Sequence, residues 1–503
     1  MEVMSNLMDG FVLALSFNNL LACFIGVLIG TIVGVLPGIG PVGAMALLLP
    51  FSYGLDAGTS LILLAGIYYG AMYGGSTTSI LINVPGEAAS VVTCLDGYQM
   101  ARKGRAGAAL AVAGIGSWVA GTVGVLLLML FAPPLGRAAL SFGPPEYFAI
   151  SLVGMLVLSN LSGDSFLKAF LVFTLGMMIS SIGIDVLTGF NRLSFDVLEL
   201  TRGIEFLPCA MGLFGMAEVF AIAVEPYDVG EMIKVKFREL YPSREELKKS
   251  VWPIVRGSFI GFPIGLIPGP AAILSSLVSY RVEKGMAKQP EEFGKGAIEG
   301  VAGPESANNA AAAGAMVPLL ALGIPFAPAT AVLLGGLMLH GVAPGPTFIT
   351  GHSQLFWLVV ASMYIGNLML LVLNLPLVGL FASLTKVPAK ILIPVVTAIM
   401  FIGAYSLNNS LFDIFMLLFF GVLGFIFKYL GYSATPLLVG LVLGPVFEKS
   451  LRQGLIMADG NFMFFLQRPI SGTLLAVAAL IVVWTIYSEV KKQKRSKLFD
   501  VGD

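Results

Sequence analysis

The stretches GTIVGVLPGIG, residues 30–40, and GFPIGLIPGPA, residues 261–271, decide how this chain is read. Both fit the pattern GxxxGxxPG. Gly30, Gly34, Pro37 and Gly38 supply it in the first copy, and Gly261, Gly265, Pro268 and Gly269 in the second. Each copy sits in an apolar run that would otherwise continue as a membrane helix. Proline removes a backbone donor and glycine accepts left-handed backbone, so each motif breaks its helix at the Pro-Gly pair. Two copies at corresponding places point to duplication. A weaker echo follows each: NVPGEAAS at 83–90 aligns with GIPFAPAT at 323–330.

Composition fixes the medium. Hydrophobic residues make up 57% of the 503 and charged ones 12%, against about 25% charged in soluble domains. The 60 glycines suit a membrane, where neighbouring helices re-satisfy backbone groups that Gly and Pro release. Apolar runs long enough to span a bilayer lie at 106–131, 145–160, 165–184, 205–225, 355–383, 391–408, 411–428, 433–447 and 468–488. Two zones, 17–105 and 254–345, are apolar yet interrupted every few residues. The expected fold is an all-α polytopic membrane protein with about 11–12 transmembrane helices and two re-entrant hairpins in an inverted repeat. Zero net charge gives no general attraction to nucleic acid. Cys23, Cys94 and Cys209 are far apart and read as free thiols. The opening MEVMSNLMDG lacks the basic region of a signal peptide, so no cleavable signal is expected.

Loop charges order the repeats. The loop after the first Pro-Gly motif, 51–58, has no Lys or Arg, whereas its counterpart 281–295 has Arg281, Lys284, Lys288 and Lys295. After the second echo the bias reverses: Arg102, Lys103 and Arg105 in the first half, none over 341–350 in the second. Basic loops stay cytoplasmic, so equivalent loops face opposite sides, as an inverted repeat requires. Residues 1–10 and 51–58 then face out; 102–105, 226–256 and the tail KKQKRSK face in. Arg137, Arg192, Arg202, Lys449, Arg452 and Arg468 are the basic residues left outside. The segment 254–281 starts and ends inside, as a hairpin with Pro268-Gly269 at its tip. Pro37-Gly38 tips the mirror hairpin. The chain divides into a first repeat, 1–225, a charged cytoplasmic linker, 226–253, a second repeat, 254–488, and a basic tail, 489–503.

The chemistry follows from the broken helices. Paired breaks in an inverted repeat mark a transport site, and a helix restarting at mid-membrane offers N–H groups and a positive dipole end to an anion. The substrate-binding candidates are Pro37, Gly38, Gly40, Ser76, Thr77, Thr78, Pro268, Gly269, Ser306, Asn308 and Asn309. Asn83, Glu87 and Glu305 are the cation-coupling candidates, with Na⁺ the only metal ion in view. The competing structural reading is plainer: the glycines let helices pack closely, and the Ser, Thr and Asn side chains bond their own helices. Asp96 is placed at least as well in the basic loop as at membrane depth, and Arg256 reads as a snorkelling side chain. No GxxxxGK[ST] or GxSxG occurs, and two histidines, His340 and His352, cannot form HExxH. No cofactor and no enzymatic activity are expected. A passive anion channel, a carrier for a different anion and an integral membrane enzyme remain the rival readings.

The stretches GTIVGVLPGIGPVGAMALLLP, GGSTTSILINVPGEAASVVTCLDGYQMARKGRAG and GPESANNAAAAGAMVPLLALGIP together resemble the large membrane subunit of the tripartite tricarboxylate transporters, over essentially the whole chain. The resemblance implies a multi-pass protein of the bacterial inner membrane, with a periplasmic N-terminus and cytoplasmic C-terminus under the charge reading. It implies ion-gradient-driven uptake of citrate or a related carboxylate, coupled to Na⁺ or H⁺. It also implies two partners, a periplasmic substrate-binding protein and a small membrane subunit of about four helices. A homodimer stays open.

Overall fold

The structure, a computed structural model, describes residues 2–36, 40–161, 165–185, 187–225, 241–384 and 387–499. The chain opens with α1 (Glu2–Ala14), α2 (Phe17–Val35), α3 (Gly40–Ser52) and α4 (Ala57–Ile82). A 3-10 turn, Ala88–Ser90, leads into α5 (Val91–Arg102), α6 (Ala106–Ala139), α7 (Pro144–Leu161) and α8 (Phe166–Ser180). A small antiparallel pair, β1 (Gly183–Ile184) and β2 (Asn191–Arg192), precedes α9 (Leu198–Thr201) and then α10 (Phe206–Ala210), which runs through a π-helical turn, Met211–Met216, into α11 (Ala217–Val224). The second half holds α12 (Arg244–Gly265), α13 (Ala271–Met286), α14 (Glu299–Leu322), α15 (Pro328–Leu339), α16 (Phe348–Gly351) and α17 (Ser353–Ser383). It ends with α18 (Ala389–Asn408), α19 (Leu411–Tyr429), α20 (Thr435–Met457), α21 (Met463–Gln467) and α22 (Pro469–Phe499).

Glycine spacing explains the central packing. A Cβ built on Gly26, Gly30 or Gly34 of α2 would fall 2.4, 2.4 and 2.3 Å from the carbonyl oxygens of Leu63, Ile67 and Ala71 on α4. On α12, Gly257, Gly261 and Gly265 meet the carbonyls of Gly303, Ala307 and Ala311 on α14 at 2.4, 2.0 and 2.3 Å. Lipid gives apolar side chains no reason to associate, so such seams hold helices by close backbone approach. The glycine spacing meets the facing carbonyls in the same register in both halves. The helices that follow repeat it: α3 packs on α4 and α13 on α14, while α17 lies against α4 and α6 against α14. The halves also cross, with α3 on α15 and α13 on the 88–90 turn.

Residues 58–81 of α4 and 300–322 of α14 are buried on every face. A helix enclosed by protein needs no apolar face towards lipid, and these two carry the glycines and polar residues. Neither is among the seven helices that, among the described residues, are long and apolar enough to cross a membrane, namely those at 17–35, 106–139, 206–224, 353–377, 390–408, 411–429 and 469–487. The chain is an all-α polytopic membrane protein.

Two compact units result, one of residues up to 140 and 207–426, the other of 141–206 and 427 onwards. In the second, Gly176 of α8 meets the Leu437 carbonyl and Gly440 of α20 meets that of Phe173. Its ion pairs explain three of the basic residues left outside by the charge pattern. Arg192 bonds Glu448 at 2.6 Å, Arg452 bonds Asp185 at 2.6 Å, and Arg468 bonds Glu146 at 2.7 Å. In the first unit Arg105 pairs with Glu246, and Lys103 Nζ donates to the Lys295 carbonyl at 2.6 Å.

Several boundaries differ from expectation. Of the expected linker, 226–240 lies outside the described residues. Its remainder enters α12, because Ser243 and Glu246 form a capping box that starts the helix at Arg244. The span expected over 165–184 stops at Ser180, where the β pair begins, and that expected over 433–447 runs on to Met457. The N-terminus is helical as α1, seated on α17. Residues 254–281 are a helix, a break at 266–270, and a second helix, with α12 against α13.

Candidate functional site

The central polar group is Glu305, fully buried on α14. Its carboxylate accepts Ser76 Oγ from α4 at 2.7 Å, Thr93 Oγ1 from α5, and Asn308 Nδ2 at 3.3 Å. Asn309 Nδ2 extends the network to Ser117 Oγ on α6 at 2.8 Å and to Asn308 Oδ1 at 2.6 Å. Asn308 and Asn309 are adjacent and so point around the helix in different directions, which lets α14 join two neighbours. Four elements, α4, α5, α6 and α14, thus meet in one hydrogen-bonded set. A carboxylate at this depth is costly unless so satisfied.

Two small cavities flank the Asn309–Ser117 bond. Tyr73, Ser76, Thr77 and Ser117 line one; Tyr69, Asn309, Met363 and Asn367 line the other. Each offers about 10 Å³, room for one water. The site is closed in this conformation.

Other candidates behave as the plainer structural reading expects. Thr78 donates to the Gly75 carbonyl at 3.0 Å, and Ser306 to that of Ala302 at 2.7 Å, both within their own helices. Asn83 ends α4 in left-handed conformation at φ 60° and is exposed. Glu87 is buried behind Gly75; its Oε2 accepts the Ala89 N–H at 3.0 Å, while Oε1 has no partner in the protein.

Pro37 and Gly38 lie outside the described residues. Gly40, at φ +61°, opens α3 with free space around it. At the second tip, beside Pro268, Gly269 has φ +131°, and its N–H donates to the Phe326 carbonyl at 2.8 Å. That bond ties the tip to the GIPFAPAT loop. In the first half Gly86 holds the equivalent place, its Cβ position 2.2 Å from the Gly34 carbonyl.

Three features escaped the sequence reading. Thr93 and Asp96 lie on the buried face of α5 with Val92, Gly97 and Met100, an i, i+3, i+4, i+7 pattern that would have turned both inward. Asp96 is fully buried, not in the basic loop. Arg256 pairs with the buried Glu283 across the second hairpin. Ser117 carried no signal, being one hydroxyl in a long small-residue helix.

The family model described as the tripartite tricarboxylate transporter TctA family matches residues 20–439. An uncharacterized 52.8 kDa protein in the TAR-I ttuC' 3' region of Agrobacterium vitis is 48% identical over 499 residues, 99% of each chain. An uncharacterized protein in the TAR-II ttuC' 3' region of the same organism is 44% identical over 243 residues, 48% of this chain and all of the relative. No solved structure matches the chain.

Proposed function

The chain belongs to the tripartite tricarboxylate transporter TctA family, and from that premise we propose that it imports a small carboxylate, citrate or a related di- or tricarboxylate, driven by a Na⁺ or proton gradient. The observation that carries this reading is the buried network of Ser76, Thr93, Ser117, Glu305, Asn308 and Asn309, assembled from α4, α5, α6 and α14. The network holds carboxylate, hydroxyl and amide groups and no Lys, Arg or His. A substrate anion entering beside Glu305 would stack like charges in a low dielectric. A cation that enters with it removes that cost, which makes substrate and ion move together. Hydroxyls and amides on α4 and α14 would receive the substrate carboxylates between the hairpin tips, with Glu305 and Glu87 taking the coupling ion.

In this reading the two repeats are inverted, with the N-terminus periplasmic, the C-terminus cytoplasmic, and the chain in the inner membrane. A periplasmic binding protein delivers substrate and a small membrane subunit completes the complex. The test is uptake of radiolabelled carboxylates into proteoliposomes holding the complete complex, under imposed Na⁺ or proton gradients and under none. Gradient-dependent accumulation above equilibrium is expected. Uptake that only equilibrates would make the protein a channel, and no uptake of any carboxylate would remove the substrate class.

A further inference from the structure

Asp96 makes the densest polar contact in the first unit. Its Oδ1 accepts the backbone N–H groups of Gly294, Gly296 and Ala297 at 2.9, 2.7 and 2.8 Å, and its Oδ2 accepts the Tyr280 hydroxyl at 2.8 Å. The acceptor is in the first half of the chain and all four donors are in the second. The receiving turn is shaped for this: Gly294 and Gly296 have φ +83° and +107°, which aims successive N–H groups at one point. Gly300 leaves room for it, since a Cβ there would lie 2.3 Å from Asp96 Oδ2.

One turn deeper on the same face of α5 is Thr93, which donates to Glu305. Gly97 lets the helix lie close between Ile80 of α4 and Val301 of α14. Short α5 therefore reaches from the end of the molecule that carries Lys103, Arg105 and Lys295 inward to the carboxylate at the centre. It packs on α4, α6, α13 and α14. In the duplicated half, α15 follows the matching loop, and there Gly336 meets only the Leu49 and Leu64 side chains. One end of the molecule is fastened by a buried carboxylate, while the corresponding contact of the other repeat is apolar.

We propose that α5 is the gate at the basic end of the transport site and that Asp96 is its latch. Lifting α5 breaks the four bonds of Asp96 and the Thr93–Glu305 bond together, opening the central network to that side. Water can replace the carboxylate at the three N–H groups once the gate is open, but not while it is closed. Substitutions at Asp96 therefore penalise the closed state selectively. The proposal rests on the transporter reading, but its test does not use substrate.

Ala113, which lines the cavity beside Ser76 and Thr77, is replaced by cysteine. Labelling by a membrane-impermeant thiol reagent is then compared in vesicles of both orientations, over the level of the parent chain with its three native cysteines. Adding Asp96→Ala should raise labelling from the basic end roughly tenfold, equivalent to a shift of about 1.4 kcal/mol towards the open state. Labelling from the other end should not rise. Asp96→Asn should give a smaller rise and Tyr280→Phe the smallest, and these two carry the test if Asp96→Ala does not reach the membrane. Unchanged labelling in folded variants, or an equal rise from both ends, would overturn the latch. A failure of the carboxylate reading would show separately, as absent uptake by the unsubstituted complex.

Discussion

Asn83 and Gly323 end α4 and α14 in the same left-handed backbone conformation, at φ 60° and 72°. Both stand two residues before a proline, at the first position of the NVPGEAAS and GIPFAPAT echo. Asparagine is among the non-glycine residues that best tolerate this conformation. The equivalence gives Asn83 a structural duty whatever its part in ion coupling. Asn83→Gly should keep or slightly raise the melting temperature of the purified protein. Asn83→Val should lower it, by about 1–2 kcal/mol of left-handed strain. If Asn83→Gly is as stable as the parent but loses cation dependence of uptake, the side chain also serves the ion. If both are lost together in Val alone, the duty is structural.

The glycines divide into two classes with different failures. A side-chain carbon added at Gly30 or Gly261 would stand 2.4 or 2.0 Å from a carbonyl oxygen of the facing helix, so valine at either must push whole helices apart. Folded yield in the membrane should collapse. Gly269 is constrained by its φ of +131°, and Gly269→Val should distort the tip, leaving the α12–α14 seam intact. Uptake per folded molecule should fall at least tenfold, with most of the protein still inserted. Fluorescence-detected size-exclusion yields beside uptake rates separate the two. Normal transport by Gly269→Val would move the substrate site away from the tip.

Much of the fold was legible because its signals are local. Glycine at every fourth position, a Pro-Gly break and a basic loop each act within a few residues, and nine of the expected spans coincide with helices to within a few residues at most ends. The site was legible by residue type but not by partner. Ser76 and Glu305 are 229 positions apart, and nothing in either segment says that they touch. Thr78 and Ser306 look like ligands in sequence, yet each has a carbonyl within its own helix to bond. Asp96 stayed undecided in the sequence because a carboxylate six residues from Arg102 also suits a loop. Only the nest of N–H groups at 294–297, far along the chain, makes its burial tolerable.

Acid should loosen the β pair of the second unit. The hydrogen bond from Arg452 holds the Asp185 carboxyl well below the ordinary carboxylate range, helped by the backbone N–H groups of Leu187 and Thr188. A carboxylate with a lowered folded value adds stability above its unfolded value, about 3.9, and loses it as pH falls towards the folded one. The melting temperature should therefore begin to drop below about pH 5 and keep dropping as the pH falls further. Arg452→Ala should melt lower than the parent at pH 6, and the gap should narrow as acid removes the pairing. A gap that stays constant with pH would show that Arg452 stabilises through packing alone.

Glu305 decides whether the central network couples ion to substrate or only holds helices together. Glu305→Gln keeps the size of the side chain and both hydrogen-bonding atoms, but removes the negative charge that a coupling cation would balance. The Ser76 and Asn308 contacts can persist on the remaining carbonyl oxygen, so the folded yield should stay near that of the parent. Uptake against a gradient should be abolished, while exchange of internal for external substrate, which needs no net ion movement, should survive. Thr93→Ala and Ser76→Ala remove one neighbour each and should weaken ion affinity tenfold or more, from hydrogen bonds to a charged group worth about 1.5–3 kcal/mol. A packing role predicts the opposite order. Glu305→Gln would then lower folded yield and leave gradient-driven uptake per folded molecule unchanged. Measuring accumulation and exchange on the same proteoliposomes distinguishes them, because only loss of the charge separates one from the other.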